Sequence, residues 1–491
     1  MRIIYTSDTH SYIFPTDYVD ECDKEMGLLK LSQNFTKDED TLVIDGGDII
    51  QGSPLATYLR NNNLPFIQAD ILNEMKVDIV VPGNHDFNYG HEAFCTFFNS
   101  LKAEVLACNL VEKTNTVKLH KHIIKEDKQG IKYALIGAVT EYINVWEKPE
   151  TLKYFTITSA YEAVKAEIEK VKASVDKIIV IYHGGVENDL TTGALLSTTC
   201  ENEGYKMAMG LDIDLLLTAH QHLNIPLTKV NNTYLTQVPA NAIKLLDITI
   251  NKEGVVSKEI HANNKATTSP YLKDLNTKIN AWLDTDLASI NEIITKPTLL
   301  DSASKGSRVA DFFNHVILDH TKADVSATAL FNDLFSFGPN INIREIVKNY
   351  KFQNSIVVYS LNKDEIKEVL ERAAEYFTLN NGALEISESF LRPKVENYNY
   401  DYYLGLSYTF DISKPKGQRV TRLLFEGKEI DRELKFAVSN YRSTGAGGYD
   451  IFKTAKKLEE TTAEVQELSI EYLLNHKDNL SWPKADFILK Y

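Results

Sequence analysis

In 83-GNHDFNYG-90 an amide, an imidazole and a carboxylate (Asn84, His85, Asp86) stand side by side directly after the β-rich run Val77–Val81. Glycine and asparagine form turns, and a loop aspartate often only caps a helix, so this stretch alone fits a plain connection. Its meaning depends on how other strands end. RIIYT (2–6) is followed by Asp8 and His10, and TLVID (41–45) by Asp48 within DGGDIIQG. KIIVIY (177–182) runs into His183 and two glycines, and DLLLT (214–218) into His220 and His222 of TAHQH. Metal-ligating residue types thus recur where strands stop.

These runs, with DIVV (78–81), EVLAC (104–108) and KYALIGAV (132–139), alternate with helix-like stretches. Short apolar strands separated by helices argue for a layered α/β arrangement with strands buried on both faces. The carboxyl ends of such strands open on a common crevice, so groups spread from residue 8 to residue 222 converge on one site. Further on, TYLTQV and KLLDITI are closely spaced with a turn between them and are expected to be antiparallel neighbours.

From residue 268 the pattern changes. Leu272, Leu275, Ile279, Leu283, Leu287 and Ile290 follow Pro270 at helical spacing, which predicts a connecting helix. Beyond residue 300, helices such as RVADFFNHVILDH and KDEIKEVLERAAEYF mix with strands such as NSIVVYSL, GLSYTFDI and LKFAVSN, an α+β pattern without internal repeats. The expected division is 1–265, a linker helix within 266–298, and 299–491.

A chain of 491 residues, 43% hydrophobic, is too long for one core and suggests about two to four domains. A net charge of -15 argues against wrapping a nucleic-acid polymer, and no stretch resembles a basic stripe, so any phosphate must find positive charge locally. Cys22, Cys95, Cys108 and Cys200 show no CxxC spacing and are read as reduced thiols. No basic, apolar leader precedes the first strand, and no apolar run approaches the roughly 18 residues of a membrane span. A cytoplasmic protein without membrane contact is expected.

The strand-end groups comprise two carboxylates, an amide oxygen and four ligating imidazoles, with no thiolate. Such donors suit divalent Mn, Zn, Fe or Co. They are too many for one ion and enough for two sharing a carboxylate, a pair that acidifies water and binds phosphoryl oxygens.

The ordered set DxH, GDxxQG, GNHD, HGG and HxH resembles the calcineurin-like metallophosphoesterases. The resemblance implies a two-sheet αββα sandwich, joined here by the linker helix to an α+β C-terminal domain. It implies that Asp8, His10 and His222 hold one metal and Asn84, His183 and His220 the other, with Asp48 bridging them. It also implies that His85 reaches the phosphoryl group, with Asp86 and Asn88 as candidates for orienting its ring. Two departures are visible: Ala219 replaces the usual Gly before the first His of HxH, and Asn88 stands where many nucleotidases have Asp. His91, His120, His122, His261, His315, His320 and His476 lie outside the pattern and are read as structural.

In the second unit, 397-NYNYDYYLGLSY-408 and 439-SNYRSTGAGGYD-450 stand out. Tyr398, Tyr400 and Tyr402 alternate and would share one face of a strand. They fit either an aromatic ladder or a clamp in which one ring from each segment stacks on a nucleobase. Asn440 and Arg442 are candidates to bind a base edge or a phosphate, Arg442 serving equally well in a salt bridge. Gly445, Gly447 and Gly448 fit close backbone approach to a nucleoside or a tight turn.

Taken together the chain resembles the 5'-nucleotidase family, and within it the 2',3'-cyclic-nucleotide phosphodiesterase/3'-nucleotidase branch. From that branch the stacking rings fall on Tyr398 and Tyr441, and a rotation of the C-terminal domain on the linking helix is implied. Ordinary 5'-nucleotidases carry NGGGIR and GGDGYP motifs; here FNDLFSFGPN and Gly447 stand in those regions. The expected function is two-metal hydrolysis of small nucleotide phosphoesters, cyclic or 3'. The alternatives are a 5'-nucleotidase of broad scope and, from another class, a nucleotide- or metal-binding protein without turnover.

Overall fold

The computed structural model describes residues 1–197, 199–266, 268–351, 354–477 and 480–491. The chain divides into two compact units, Met1–Ile279 and Asn280–Tyr491.

The first unit is built on two mixed sheets. One orders its seven strands Val255–His261, Lys244–Ile250, Arg2–Thr6, Thr41–Asp45, Ile79–Val80, Glu104–Leu106 and Leu119–His120. The other orders six as Ile225–Val230, Thr233–Gln237, Leu215–Thr218, Lys177–His183, Lys132–Val139 and His122–Glu126. Register explains why separate motifs meet. Thr6 lies opposite Asp45 and Asp45 opposite Val80 in parallel pairs, so the residues after each strand emerge at one edge. Tyr182 lies opposite Thr218 in the second sheet, with the same result. The two sheets are tied just below this edge, where the buried Tyr5 hydroxyl donates to the Thr218 carbonyl at 2.8 Å.

Strand alternation builds the layers. In the second sheet Ala134, Ile136, Val180, Tyr182 and Leu216 pack with Val164, Ile168 and Val171 of the helix Ala160–Val171. The intervening Leu135, Ile179, Ile181, Leu215 and Leu217 are also fully buried, as strands covered on both faces require. Ser159 caps the helix, its hydroxyl accepting the Glu162 N–H.

Two expectations about connectivity do not hold. TYLTQV and KLLDITI do not pair: Thr233–Gln237 joins the second sheet beside Leu215–Thr218, and Lys244–Ile250 joins the first beside Arg2–Thr6. Closeness in sequence favoured a hairpin, but each strand finds its hydrogen-bonding partners in a different sheet. Similarly, the helix Pro270–Leu283 buries Leu272, Leu275, Ile279 and Leu283 but stops there. Leu287 lies on the strand Asp286–Ser289, paired with Asn340–Asn342, and Ile290 follows that strand.

The second unit carries a five-stranded sheet ordered Asp401–Leu404, Val325–Ala329, Leu434–Ser439, Ser355–Leu361 and Lys456–Glu464. Beside it lies a three-stranded sheet of Val420–Phe425, Leu406–Asp411 and Asp486–Lys490. The helix Lys363–Ala374 begins in a capping box of Asn362 with Glu365 and buries Ile366, Val369, Leu370 and Ala373. Among the described residues no helix is long and apolar enough to cross a membrane.

Candidate metal centre

Asp8, His10, Asp48, His220 and His222 all adopt positive φ, between +48° and +71°. Non-glycine residues avoid this region, and clusters of them occur where surrounding structure forces a functional geometry. Here backbone ties do the forcing. Asp8 N–H donates to Gly47 O at 2.8 Å and His10 N–H to Asp48 O at 2.9 Å, so the turns after the first two strands brace each other. Gly83 has no side chain because a Cβ there would collide with Asp48 and His183.

Three imidazoles are tethered through the nitrogen facing away from the centre. His10 Nδ1–H donates to Gln51 O at 2.8 Å, His183 Nδ1–H to Gly46 O at 2.6 Å, and His220 Nε2–H to Glu201 Oε1 at 2.9 Å. Each tether places a proton on the outward nitrogen, so that in the neutral ring the inward nitrogen carries a lone pair. His10 Nε2 lies 2.9 Å from His222 Nε2, and that atom 3.6 Å from Asp8 Oδ1. Asn84 Oδ1 lies 2.8 Å from His220 Nδ1 and 3.2 Å from His183 Nε2. Two groupings result, Asp8, His10, Asp48 and His222 on one side and Asp48, His183 and His220 on the other, with Asp48 in both.

Whether these residues suit cations can be read from Asp48. Its Oδ1 accepts the His85 backbone N–H at 2.7 Å. Its Oδ2 is buried and receives no aligned hydrogen bond, although His183 Nε2 and His10 Nε2 lie 3.3 and 3.9 Å away. A buried carboxylate oxygen with spare acceptor capacity is costly unless a cation meets it. The titration behaviour agrees. Burial pushes the Asp8 carboxyl up to about 6, with Asp48 adding to the effect against the pull of His183. Burial takes His10 down to about 4, a neutral ligand at pH 7. For His183 burial acts downward too, but Asp48 reverses it and lifts the ring to about 10, holding a proton where a metal ion would otherwise sit. The buried Asp/His cluster is compatible with a dinuclear metal site.

His85, expected to reach the phosphoryl group, lies at the rim, its ring 5.3 Å from that of His10. Its Nδ1 lies 2.7 Å from Asn88 Oδ1. Asp86 is elsewhere, contrary to its reading as an orienting group. It is fully buried and accepts the N–H groups of Gly83, Asp48, Ile49 and Ile50 at 2.8 to 3.1 Å. It therefore shapes the loop that carries Asp48.

In the second unit, Tyr398 and Tyr441 face each other with ring centroids 6.5 Å apart and planes at 72°. Tyr398 is not on a strand: it lies in the short turn Asn397–Asn399, and the strand begins at Asp401. Tyr400 and Tyr402 are core residues, Tyr400 packing on Tyr376. Arg442 is not available as a phosphate or base ligand. It is 2% exposed, its Nε and Nη2 grip both Asp401 oxygens at 2.7 and 2.8 Å, and Nη1 and Nη2 reach Asn399 Oδ1 and Tyr398 O. Gly447, at φ +73°, is the position where a Cβ would strike Asn399 and Arg442, so packing against this cluster accounts for the glycine. Asn440 Oδ1 is buried without a hydrogen-bond partner beside Tyr441.

Comparison with known proteins follows the same division. Residues 1–224 match the calcineurin-like phosphoesterase family and residues 286–454 the 5'-nucleotidase C-terminal domain. A Staphylococcus aureus protein provisionally named a 5'-nucleotidase, solved in complex with alpha-ketoglutarate, is 30% identical and superposes with a TM-score of 0.93 over 100% of both chains. This chain belongs to the 5'-nucleotidase family. It is a phosphoester hydrolase, as calcineurin-like phosphoesterases are. It is also similar to the trifunctional nucleotide phosphoesterase YfkN of Bacillus subtilis, 23% identical across 99% of this chain and 38% of that protein. A 2',3'-cyclic-nucleotide 2'-phosphodiesterase/3'-nucleotidase of Salmonella typhimurium is 24% identical across 91% of this chain and 81% of that protein.

Within this family member several site residues escaped the sequence reading. Glu201 tethers His220, Trp146 stacks on the His220 ring at 5.3 Å, and Glu147 holds Asn88 at 3.0 Å. None follows a strand in a motif, so nothing in the sequence singled them out. A separate cluster, His91, Cys95 and Glu112, has ligand types close together but other duties. Glu112 already accepts from Thr114 N, Thr114 Oγ1 and Thr116 N at 2.6 to 2.8 Å, and burial pushes the Cys95 thiol up to about 11. His120, His122 and His261 pair with Glu104, Glu167 and Glu259, and His315 with the Tyr472 hydroxyl.

Proposed function

We propose that this chain hydrolyses nucleotide phosphoesters at the Asp48 centre, with 2',3'-cyclic nucleotides and 3'-nucleotides as its preferred substrates. The observation that carries the proposal is the buried Oδ2 of Asp48, which receives no aligned hydrogen bond and lies between two sets of inward-facing imidazoles. Asp8, His10 and His222 would hold one divalent ion and Asn84, His183 and His220 the other, with Asp48 shared. Bound there, two such ions supply an acidified water and a seat for phosphoryl oxygens. The chain's own residues do the rest. The tethers from Gln51, Gly46 and Glu201 keep the imidazoles aimed inward, and His85, at the rim, is placed to meet the phosphoryl group as negative charge builds on its oxygens.

Substrate choice is assigned to the second unit. Tyr398 and Tyr441 would stack on the base, with Asn440 Oδ1 free to accept from a base edge; closing the 72° between the rings is part of binding. The names of the relatives from Salmonella typhimurium and Bacillus subtilis, and the absence of the NGGGIR arginine and of an aspartate at Gly447, support the cyclic and 3' preference. We take 1–265 as the catalytic domain, 266–298 as the linker and 299–491 as the substrate domain. Two reduced cysteines, Cys95 and Cys108, are buried, which fits a reducing compartment such as the cytoplasm.

The test is parallel release of nucleoside or phosphate from 2',3'-cAMP, 3'-AMP and 5'-AMP with Mn2+, and with EDTA as control. Turnover of the first two above the third supports the assignment. Dominant 5'-AMP turnover would favour the 5'-nucleotidase reading suggested by the matched C-terminal family, and no turnover with any divalent ion would favour a binding protein.

A further inference from the structure

The short helix Ile143–Trp146 touches the metal centre at two points. Trp146 stacks on the His220 ring, and the next residue, Glu147, reaches Asn88. Glu147 is 8% exposed. Its Oε2 accepts the Asn88 Nδ2–H at 3.0 Å and its Oε1 the Lys148 backbone N–H at 2.7 Å. Asn88 Oδ1 in turn lies 2.7 Å from His85 Nδ1. An asparagine side chain presents an oxygen or an amino group equally readily, and only its partners decide which way it faces. Burial raises the Glu147 carboxyl, against the Lys148 N–H and the Asn88 amide, which favour its ionised form; ionised, it accepts and does not donate, and so demands the amino group. The Asn88 oxygen is then left for His85, and only a protonated Nδ1 satisfies it.

We propose that Glu147 is a positioning residue for His85, acting through Asn88 to set the amide's orientation and hence the imidazole tautomer. The inference rests on the reading of His85 as the residue that meets the phosphoryl group.

The test compares the intact chain with Glu147→Ala, Asn88→Asp and the double variant, using bis-p-nitrophenyl phosphate and Mn2+, with metal content measured for each. Alone, Glu147→Ala should lower kcat about 10-fold, the size typical of outer supports of a site, with KM and metal content little changed. In the Asn88→Asp background the same change should cost less than about 2-fold, because both oxygens of an aspartate accept and no orientation remains to be chosen. An equal loss in both backgrounds would mean that Glu147 only holds its helix, and would overturn the proposal. Should Glu147→Ala fail to fold, the 15N spectrum of the Zn2+-loaded intact chain decides. A His85 ring protonated at Nδ1 supports the relay, and one protonated at Nε2 alone overturns it. His85→Ala separates the two levels. Lost turnover there with a native-like Glu147→Ala removes only the positioning role, whereas unchanged turnover removes the role of His85 and the relay with it.

Discussion

The Asp48 centre and the Arg442 cluster are both buried, both charged and both marked by conspicuous motifs, yet their hydrogen bonding differs in kind. Around Arg442 the charges are matched: both oxygens of Asp401 receive the guanidinium, Asn399, Ala446 and Tyr398 take its other N–H groups, and the Tyr449 ring lies 4.4 Å from its carbon. Burial works against the charge, but Asp401 holds the guanidinium above its ordinary pKa. Around Asp48 acceptors and lone pairs outnumber the donors, and one carboxylate oxygen is left over. A cluster whose groups satisfy one another is scaffold. One that keeps acceptor capacity in a buried place is prepared for something added.

That contrast can be broken by experiment. Asp48→Asn should abolish turnover by about 10³-fold or more, the scale of losing a principal electrostatic element, with little change in the denaturation midpoint. Asp401→Ala should do the opposite. Leaving Arg442 buried and unpaired should destabilise the fold by about 3–5 kcal/mol, read from denaturant curves, while metal content stays as in the native chain. If Asp401→Ala proved harmless to stability and harmful to turnover, Arg442 would have to be returned to the substrate site. Tyr441→Ala should raise KM for 3'-AMP about 10-fold, as loss of one stacking ring does, without affecting bis-p-nitrophenyl phosphate, which has no base to stack.

The smallest effect concerns pH. Burial pushes the Glu112 carboxyl up, but hydrogen bonds from Thr114, His91 and the loop backbone outweigh it and take it down to about 2, against an ordinary 4.5. A depressed carboxylate stabilises the fold above its unfolded pKa and loses that contribution as pH falls from about 4.5 toward 2. Glu112→Gln should therefore flatten the acid limb of a melting-temperature profile, and an unchanged limb would contradict the matched reading of that cluster.

Much of the site lay open in the sequence because strand ends are local features. A run such as TLVID followed by Asp48 shows where a side chain will emerge, and parallel register brings such ends to one edge. What stayed hidden depends on contacts between distant segments. Nothing local to TYLTQV and KLLDITI says that they enter different sheets. Asp86 looked like a partner for His85 because it is its neighbour, yet four backbone N–H groups turn it into the loop. The alternation of tyrosines suggested a strand that begins only at Asp401. Arg442 looked available because its partner Asp401 is remote in sequence.

The central claim is that Asp48 joins two metal positions, and the direct measurement is metal stoichiometry. Calorimetric titration with Mn2+, checked by elemental analysis after desalting, should give two ions per native chain and one or none for Asp48→Asn. A single ion in both proteins would contradict a shared carboxylate and with it the two-metal account.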